Sequence, residues 1–467
     1  MRLLFSHDRK KPYLCMRKTV LFMKKIKDNY TFLTSAPVHR VILTMAVPTI
    51  ISMLVTSIYN MADTYFVGKI NTQCTAAVGV SFSVMAIIQA IGFFFGHGSG
   101  NYISRKLGAR QSGDAARMAA TGFFYSFAFG LALAVASHLF LDDLAVALGS
   151  TPTILPYTKT YLGIILLGAP FMTASFTMNN QMRFQGNALF AMFGIVAGAV
   201  LNVFLAPLFI FVFRMGIAGA ATATLLSQIC SFCILFAMTR RRENIRILPR
   251  NFSFSRQLVK EIIAGGTPSL SRQGLGSLAT IMLNVSAGAF GDAAIAGMSI
   301  VGRSTYFVYS AIIGLGQGFQ PLCGFCYGAR LYGRVKDGFM YCVKLGTAFM
   351  TVVAVVGYAF AGQIVEEFRR DSAVIAVGTP ALRWQLLTFP LVATVIVSNM
   401  LLQTIRKPVR ANMLAAARSG LFFIPLVMTL PRLFGLFGLE VCQAIADVCA
   451  FALSVPVAWS AFREMRG

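Results

Sequence analysis

Charge is scarce in this chain of 467 residues: 12% are Asp, Glu, Lys or Arg, about half the ~25% usual for soluble proteins. With 57% of side chains hydrophobic, a soluble domain could not hide the surplus, which excludes a cytosolic enzyme and a disordered chain. Acidic residues are scarcer still, 16 against 41 basic ones. No carboxylate cluster of the kind that holds magnesium diphosphate is present, and Asp142-Asp143 is an isolated pair. There is no P-loop and no HExxH run, so nothing points to an enzyme. Histidines number four and none completes a metal set with the pairs Cys230/Cys233 and Cys323/Cys326, which lack a second pair at zinc-finger spacing. Most of the nine cysteines, Cys442 and Cys449 among them, lie in apolar stretches as small fillers, which excludes a disulfide-stapled secreted domain. The net charge of +25 comes without an aromatic-interleaved basic stripe, so no nucleic-acid partner is expected. Neither metal nor cofactor is expected.

What the chain has instead is a series of apolar runs of bilayer length, each about 20 residues or more. These predict an all-α polytopic membrane protein with helices near 39–66, 75–105, 115–138, 153–182, 187–213 and 216–239. Six more follow near 255–285, 293–326, 335–361, 374–404, 409–431 and 438–462. The first ~35 residues are basic and lack the apolar h-region and cleavage site of a signal peptide. They read as a cytoplasmic tail in which Met16 and Met23 stand beside Met1 as alternative starts. With both termini inside, thirty of the lysines and arginines fall on the cytoplasmic side, six on the other and five within spans. That is a strong positive-inside asymmetry. The expected domains are a basic tail (1–37), a first lobe (38–239), a cytoplasmic linker (240–256) rich in arginine, and a second lobe (257–467).

The halves are copies of one another. Pro48 and Pro268, Gly96 and Gly316, Gly98 and Gly318, Gly108-Ala109-Arg110 and Gly328-Ala329-Arg330, Pro170 and Pro390, and Asn179 and Asn399 all recur at an offset of 220. Gly216 and Gly219 match Gly435 and Gly438 with one residue lost. Six helices is an even number, so the two repeats share one orientation in the membrane. Two parallel bundles with a pathway between them is the logic of a secondary transporter. Without an ATP site, pumping would draw on an ion gradient.

A few polar residues stand out within the spans. Asp63, toward the outer end of the first helix, is costly in a membrane, by about 2.5–3.5 kcal/mol at mid-span, and so marks a cavity or an ion path. Gly194, Gly198, Asn202 and Ala206 share one face of the fifth helix, where the glycines admit a close neighbour and Asn202 offers an acceptor and a donor at depth. Thr224 sits mid-way along the sixth. Pro48 interrupts the first helix and permits a hinge-like bend. Asp447, Arg272, Arg303 and Arg418 are the charges of the second half; opposite signs in one bundle invite an ion pair or a second site. Asn179, Asn180, Arg303 and Asp447 are candidate cavity or substrate contacts. His97 reads as a hydrogen-bonding packing residue.

The chain resembles the multidrug and toxic compound extrusion (MATE) family, in its bacterial DinF-like and MepA-like branch, over about residues 35–465. The resemblance rests on Ala46-Val47-Pro48-Thr49-Ile50-Ile51-Ser52-Met53-Leu54, on Tyr59-Asn60-Met61-Ala62-Asp63-Thr64, on Ser104-Arg105-Lys106-Leu107-Gly108-Ala109 and on Arg183-Phe184-Gln185-Gly186-Asn187. It implies a V-shaped pair of six-helix lobes that export cationic amphiphilic compounds by alternating access, in exchange for protons or sodium. It further implies a monomer in the bacterial cytoplasmic (inner) membrane. The family's coupling site, carried over residue by residue, falls on Asp63, Tyr161, Asn202 and Thr224. The family's second acid falls on Ala206, so one carboxyl is missing. A single aspartate holds sodium less well than two but still carries a proton, which favours proton coupling. The alternative is a flippase for a lipid-linked sugar or peptidoglycan precursor, for which Arg272, Arg303, Arg383 and Arg418 would meet the anionic diphosphate.

Overall fold

The computed structural model describes residues 29–465. Most of the expected basic tail, with its alternative starts, lies outside those residues. Twelve helical segments carry the fold, and their bounds repeat as the sequence does. In the first half they are α1 (Val38–Gly68), α2 (Thr72–Gly108), α3 (Ser112–Leu139), α4 (Leu155–Leu167 and Ala169–Phe184), α5 (Ala188–Val212) and α6 (Gly216–Thr239). In the second they are α7 (Arg256–Gly288), α8 (Asp292–Gly328), α9 (Tyr332–Ala359), α10 (Ser372–Thr404), α11 (408–434) and α12 (436–464), the last two separated at Gly435, whose φ is +61°. Both ends of α8 and α9 lie 220 residues after those of α2 and α3.

The repeated glycines owe their places to packing. Gly96 lies under Asn180 of α4, and Gly316 under Met400 of α10, the equivalent position. Gly108 and Gly328 face each other's helices so closely that a Cβ on either would strike the backbone of Phe325 or Arg105. Gly98 abuts the backbone of Ile262 on α7, while Gly318 abuts Ala46 on α1. The lobes therefore join by exchange: α2 packs along α7 and α1 along α8. The turn after α2 puts Arg110 at φ +58°, and its copy puts Arg330 at +59°, so the left-handed turn recurs without needing glycine.

These close contacts run from mid-helix to the face that carries the basic loops. There Arg105 Nη2 bonds Glu261 at 2.9 Å, Arg406 reaches the same carboxylate at 2.5 Å, and Arg105 Nη1 donates to the Thr404 carbonyl at 2.8 Å. Thr404 Oγ1 in turn donates to Asn101 at 2.9 Å. Toward the other face the lobes diverge: a Cβ added at Gly274, Gly276 or Gly302 would meet no neighbouring element within 4 Å, and Tyr306 is 62% exposed. The result is a V closed at the basic face and open at the opposite one.

One difference between the copies was not legible beforehand. The two pieces of α4 meet at Gly168 with a 50° bend, whereas α10 runs unbroken through Pro380 and Pro390. α1 continues as a single helix through Pro48.

Candidate functional site

Inside the first lobe, four helices bring their polar residues to one place. Asp63, 7% exposed near the end of α1, accepts from the Tyr161 hydroxyl of α4 at 3.5 Å. Asn202 of α5 donates its amide to Thr224 Oγ1 of α6 at 3.1 Å. Tyr59, one turn before Asp63 and so on the same face of α1, interacts with Asp63 and with Thr224. These contacts join the two pairs into one cluster. Tyr59 was missed from sequence, although its spacing of four from Asp63 in the same short run was a usable signal.

Packing explains the convergence. Gly198 leaves so little space that a Cβ there would sit 2.9 Å from Ser231 of α6, and Gly194 lies directly under Leu235. The small-residue face read from α5 is therefore its α6 face, and it delivers Asn202 to Thr224. Val67, Cys74, Ala77, Ile165, Ala206 and Ile210 pack around Tyr161 and dry the site. Ala206 is fully buried there and adds no polar atom to the site.

The polar inventory of the pocket is thus one carboxyl, two phenols, an amide and a hydroxyl. Asp63 Oδ1 has no hydrogen-bond partner. A buried acceptor left unmade costs about 1–3 kcal/mol, a cost removed when the carboxyl takes up a proton or meets a cation. Among the described residues no group of three or more His, Cys, Asp or Glu could hold a metal ion.

The other residues singled out from sequence go elsewhere. Asn179 donates to the Ala191 carbonyl at 2.7 Å, and Asn399 to the equivalent Ala411 carbonyl at 2.6 Å, so each ties two helices of its own lobe. Asn180 donates to Phe176 O and accepts from Arg183. Arg303 is exposed on α8. Asp447, with no exposure, accepts from Arg418 Nε at 2.7 Å and from Gln443 at 2.9 Å, with Tyr309 and Thr388 at 3.5 and 3.4 Å. Arg418 also lies over the Tyr309 ring at 4.2 Å to its centre. His97 is wholly packed, with Nδ1 3.1 Å from Phe93 O.

Comparison with known proteins gives a consistent result. The model of the MatE family matches residues 48–208 and again 268–429. Multidrug export protein MepA of Staphylococcus haemolyticus (strain JCSC1435) is 27% identical over 433 residues, covering 91% of this chain and 95% of that one. MepA of Staphylococcus aureus (strain NCTC 8325 / PS 47) is 28% identical over 429 residues, or 90% and 94% of the two chains. Among solved structures, an outward-facing multidrug resistance MATE family transporter of the MOP superfamily aligns with a TM-score of 0.89 at 25% identity, over 94% of this chain and 99% of that one. A MOP superfamily transporter from Pyrococcus furiosus, described as having a binding pocket of reverse polarity, shares the fold with the same TM-score, at 24% identity and the same coverage.

Proposed function

We propose, for a chain that belongs to the MatE family, that Asp63 couples the export of amphiphilic compounds to the inward flow of protons. Membership follows from a family model that matches both halves and more than half of the chain. On that footing the protein is a multi-pass multidrug efflux transporter, not an enzyme.

The observation that carries the finer reading is Asp63 Oδ1, a buried carboxylate oxygen without a partner, in a pocket whose other groups are all neutral. Sodium is best held by several oxygens that share its charge, and with Ala206 in place of a second acid this pocket offers one anion. A proton needs only one. The proposed cycle protonates Asp63 from the outer side, which neutralises the pocket and releases cargo, and deprotonates it toward the inside. The lobes then re-pack at the seam that the repeated glycines form, as alternating access requires.

The asymmetry of basic residues favours placing the basic face, and with it both termini, in the cytoplasm of a bacterial inner membrane. The V then opens outward. Cationic amphiphiles remain the cargo that the family reading favours, and a monomer suffices because the pathway runs between the two lobes of one chain.

The test is efflux of a fluorescent lipophilic cation from cells lacking their own pumps, at two sodium concentrations and with a protonophore. Export that the protonophore collapses, that sodium leaves unchanged and that Asp63→Asn abolishes at equal expression is the expected result. Export that requires sodium at constant pH would overturn proton coupling. An essential chain with no dye export by the wild type would instead favour the flippase.

A further inference from the structure

Two arginines sit where the lobes meet, and neither has a carboxylate partner among the described residues. Arg183, at the end of α4, is 2% exposed. Its Nη1 donates to Gln317 Oε1 of the other lobe at 2.6 Å, and its Nη2 lies 3.3 Å from His97 Nε2 and bonds Asn180 Oδ1. Its Nε has no acceptor. Arg272 of α7 reaches Asn399 Oδ1 at 3.4 Å. The two guanidinium groups act electrostatically on each other and on His97, and Arg272 acts on Tyr306.

Two other sheltered cations of this protein are treated differently. Arg105 has Glu261, and Arg418 has Asp447. Removing the partner of a buried charge is strongly destabilising, because it leaves that charge uncompensated. A like-charged pair without an anion, kept at depth in a membrane protein, marks a functional site rather than a structural one.

The pair lies at the floor of the cleft. Gly265 meets Gly98 of the other lobe, where an added Cβ would stand 3.1 Å from it. Arg272 is seven residues further along α7, about 10 Å from that seal. Just beyond it are Gly274 and Gly276, where an added Cβ would meet no neighbouring element within 4 Å, and the exposed Tyr306. Repeat symmetry does not explain the charges, since the positions equivalent to Arg183 and Arg272 are Gln403 and Ser52.

We infer that Arg183 and Arg272 form a receptor at the cleft floor for the anionic head, a carboxylate or a phosphate monoester, of an amphiphile that enters the cleft in addition to the cationic cargo. The planar guanidinium fork matches either anion with paired hydrogen bonds. The anion would take the free donors of Arg272 and the Nε of Arg183, while the apolar tail runs up the open cleft past Tyr306. The inference rests on the exporter reading for its view of the cleft as the cargo pathway, but it concerns a different site from Asp63 and has its own readout.

Binding decides it. The full chain is placed in phosphatidylcholine nanodiscs and titrated calorimetrically with dodecyl phosphate, dodecyltrimethylammonium and a neutral dodecyl ether. Dodecyl phosphate is expected to bind at least about tenfold more tightly than the ether, the difference of one charge-assisted hydrogen bond. Arg272→Gln should remove most of that preference, Arg272→Lys should keep most of it, and Arg369→Gln, at an exposed loop, should leave it unchanged. Equal binding of phosphate and ether by the wild type, or a preference that survives Arg272→Gln in protein of unchanged melting temperature, overturns the proposal. The source of the anion is read by competition: inorganic phosphate alone marks a free-anion site, and phosphatidic acid in the disc marks a lipid headgroup. Dye export by the same wild type is scored separately, so loss of the exporter reading and loss of this one are told apart.

Discussion

The two lobes share one backbone plan and have opposite interiors. In the first, Asp63 meets neutral groups and keeps one oxygen unpartnered. In the second, Asp447 is closed by Arg418, Gln443, Tyr309 and Thr388. The exchange is position by position: Asp63, Tyr161 and Asn202 correspond to Leu283, Ala381 and Phe422, while Arg418 and Tyr309 correspond to Gly198 and Gln89. A carboxylate that already has a cation is a structural pair; one that lacks a cation is able to take a proton or an ion. Duplication thus supplied two scaffolds, and side-chain chemistry left the buried carboxyl of one without a cation and gave that of the other an arginine.

The largest effect expected is on transport, and only from one side. Asp63→Asn should cut dye efflux by at least about tenfold, equivalent to ~1.4 kcal/mol or more, with the melting temperature in detergent little changed. If Asp63→Asn exports normally, the contrast between the lobes loses its functional meaning. Asp447→Asn should do the reverse. By leaving the partly buried Arg418 cation without its partner it should destabilise the protein by up to about 3–5 kcal/mol, read as a fall in the unfolding temperature. Adding Arg418→Met to Asp447→Asn should recover most of that loss, because both charges are then gone. Failure to recover would give the pair a role beyond structure.

A sharper probe converts one kind of site into another. Ala206→Asp adds a second carboxyl beside Tyr161 and Asp63, and dye export by this variant should become sensitive to sodium at constant pH while the wild type does not. Export that remains indifferent to sodium would show that the second acid is not what selects the ion. The smallest effect concerns what the lobes hold in common. Asn179→Ala removes one interhelical bond and should cost about 1 kcal/mol, whereas Asn399→Ala also takes an acceptor from Arg272 and should cost more by thermal melting. Equal losses would mean that the Arg272 contact adds nothing to the frame of the second lobe.

Much of this was readable from residues alone. The span bounds near 75–105 and 293–326 fall inside α2 and α8, because bilayer thickness fixes a run of apolar residues that local composition reveals. The small-residue face of α5 was legible for the same reason, as spacings of four lie on one side of a helix. The 50° bend at Gly168 was not, since neither Gly168 nor Pro170 differs in kind from glycines and prolines that leave other helices continuous. Nor was the setting of Arg183, whose partner Gln317 stands 134 residues away in the other lobe.

Sequence by itself determined the class of the protein, its helix count, its duplication and the candidate carboxyl at Asp63, because hydropathy, length and internal repetition are properties of neighbouring residues or of a constant offset. Tertiary structure decided which charges are neutralised. Asp63 meeting Tyr161, Arg418 meeting Asp447, and Arg183 and Arg272 meeting no carboxylate are facts about helices brought together by packing. Electrostatic energy depends on distance and burial, and neither is fixed by position along the chain.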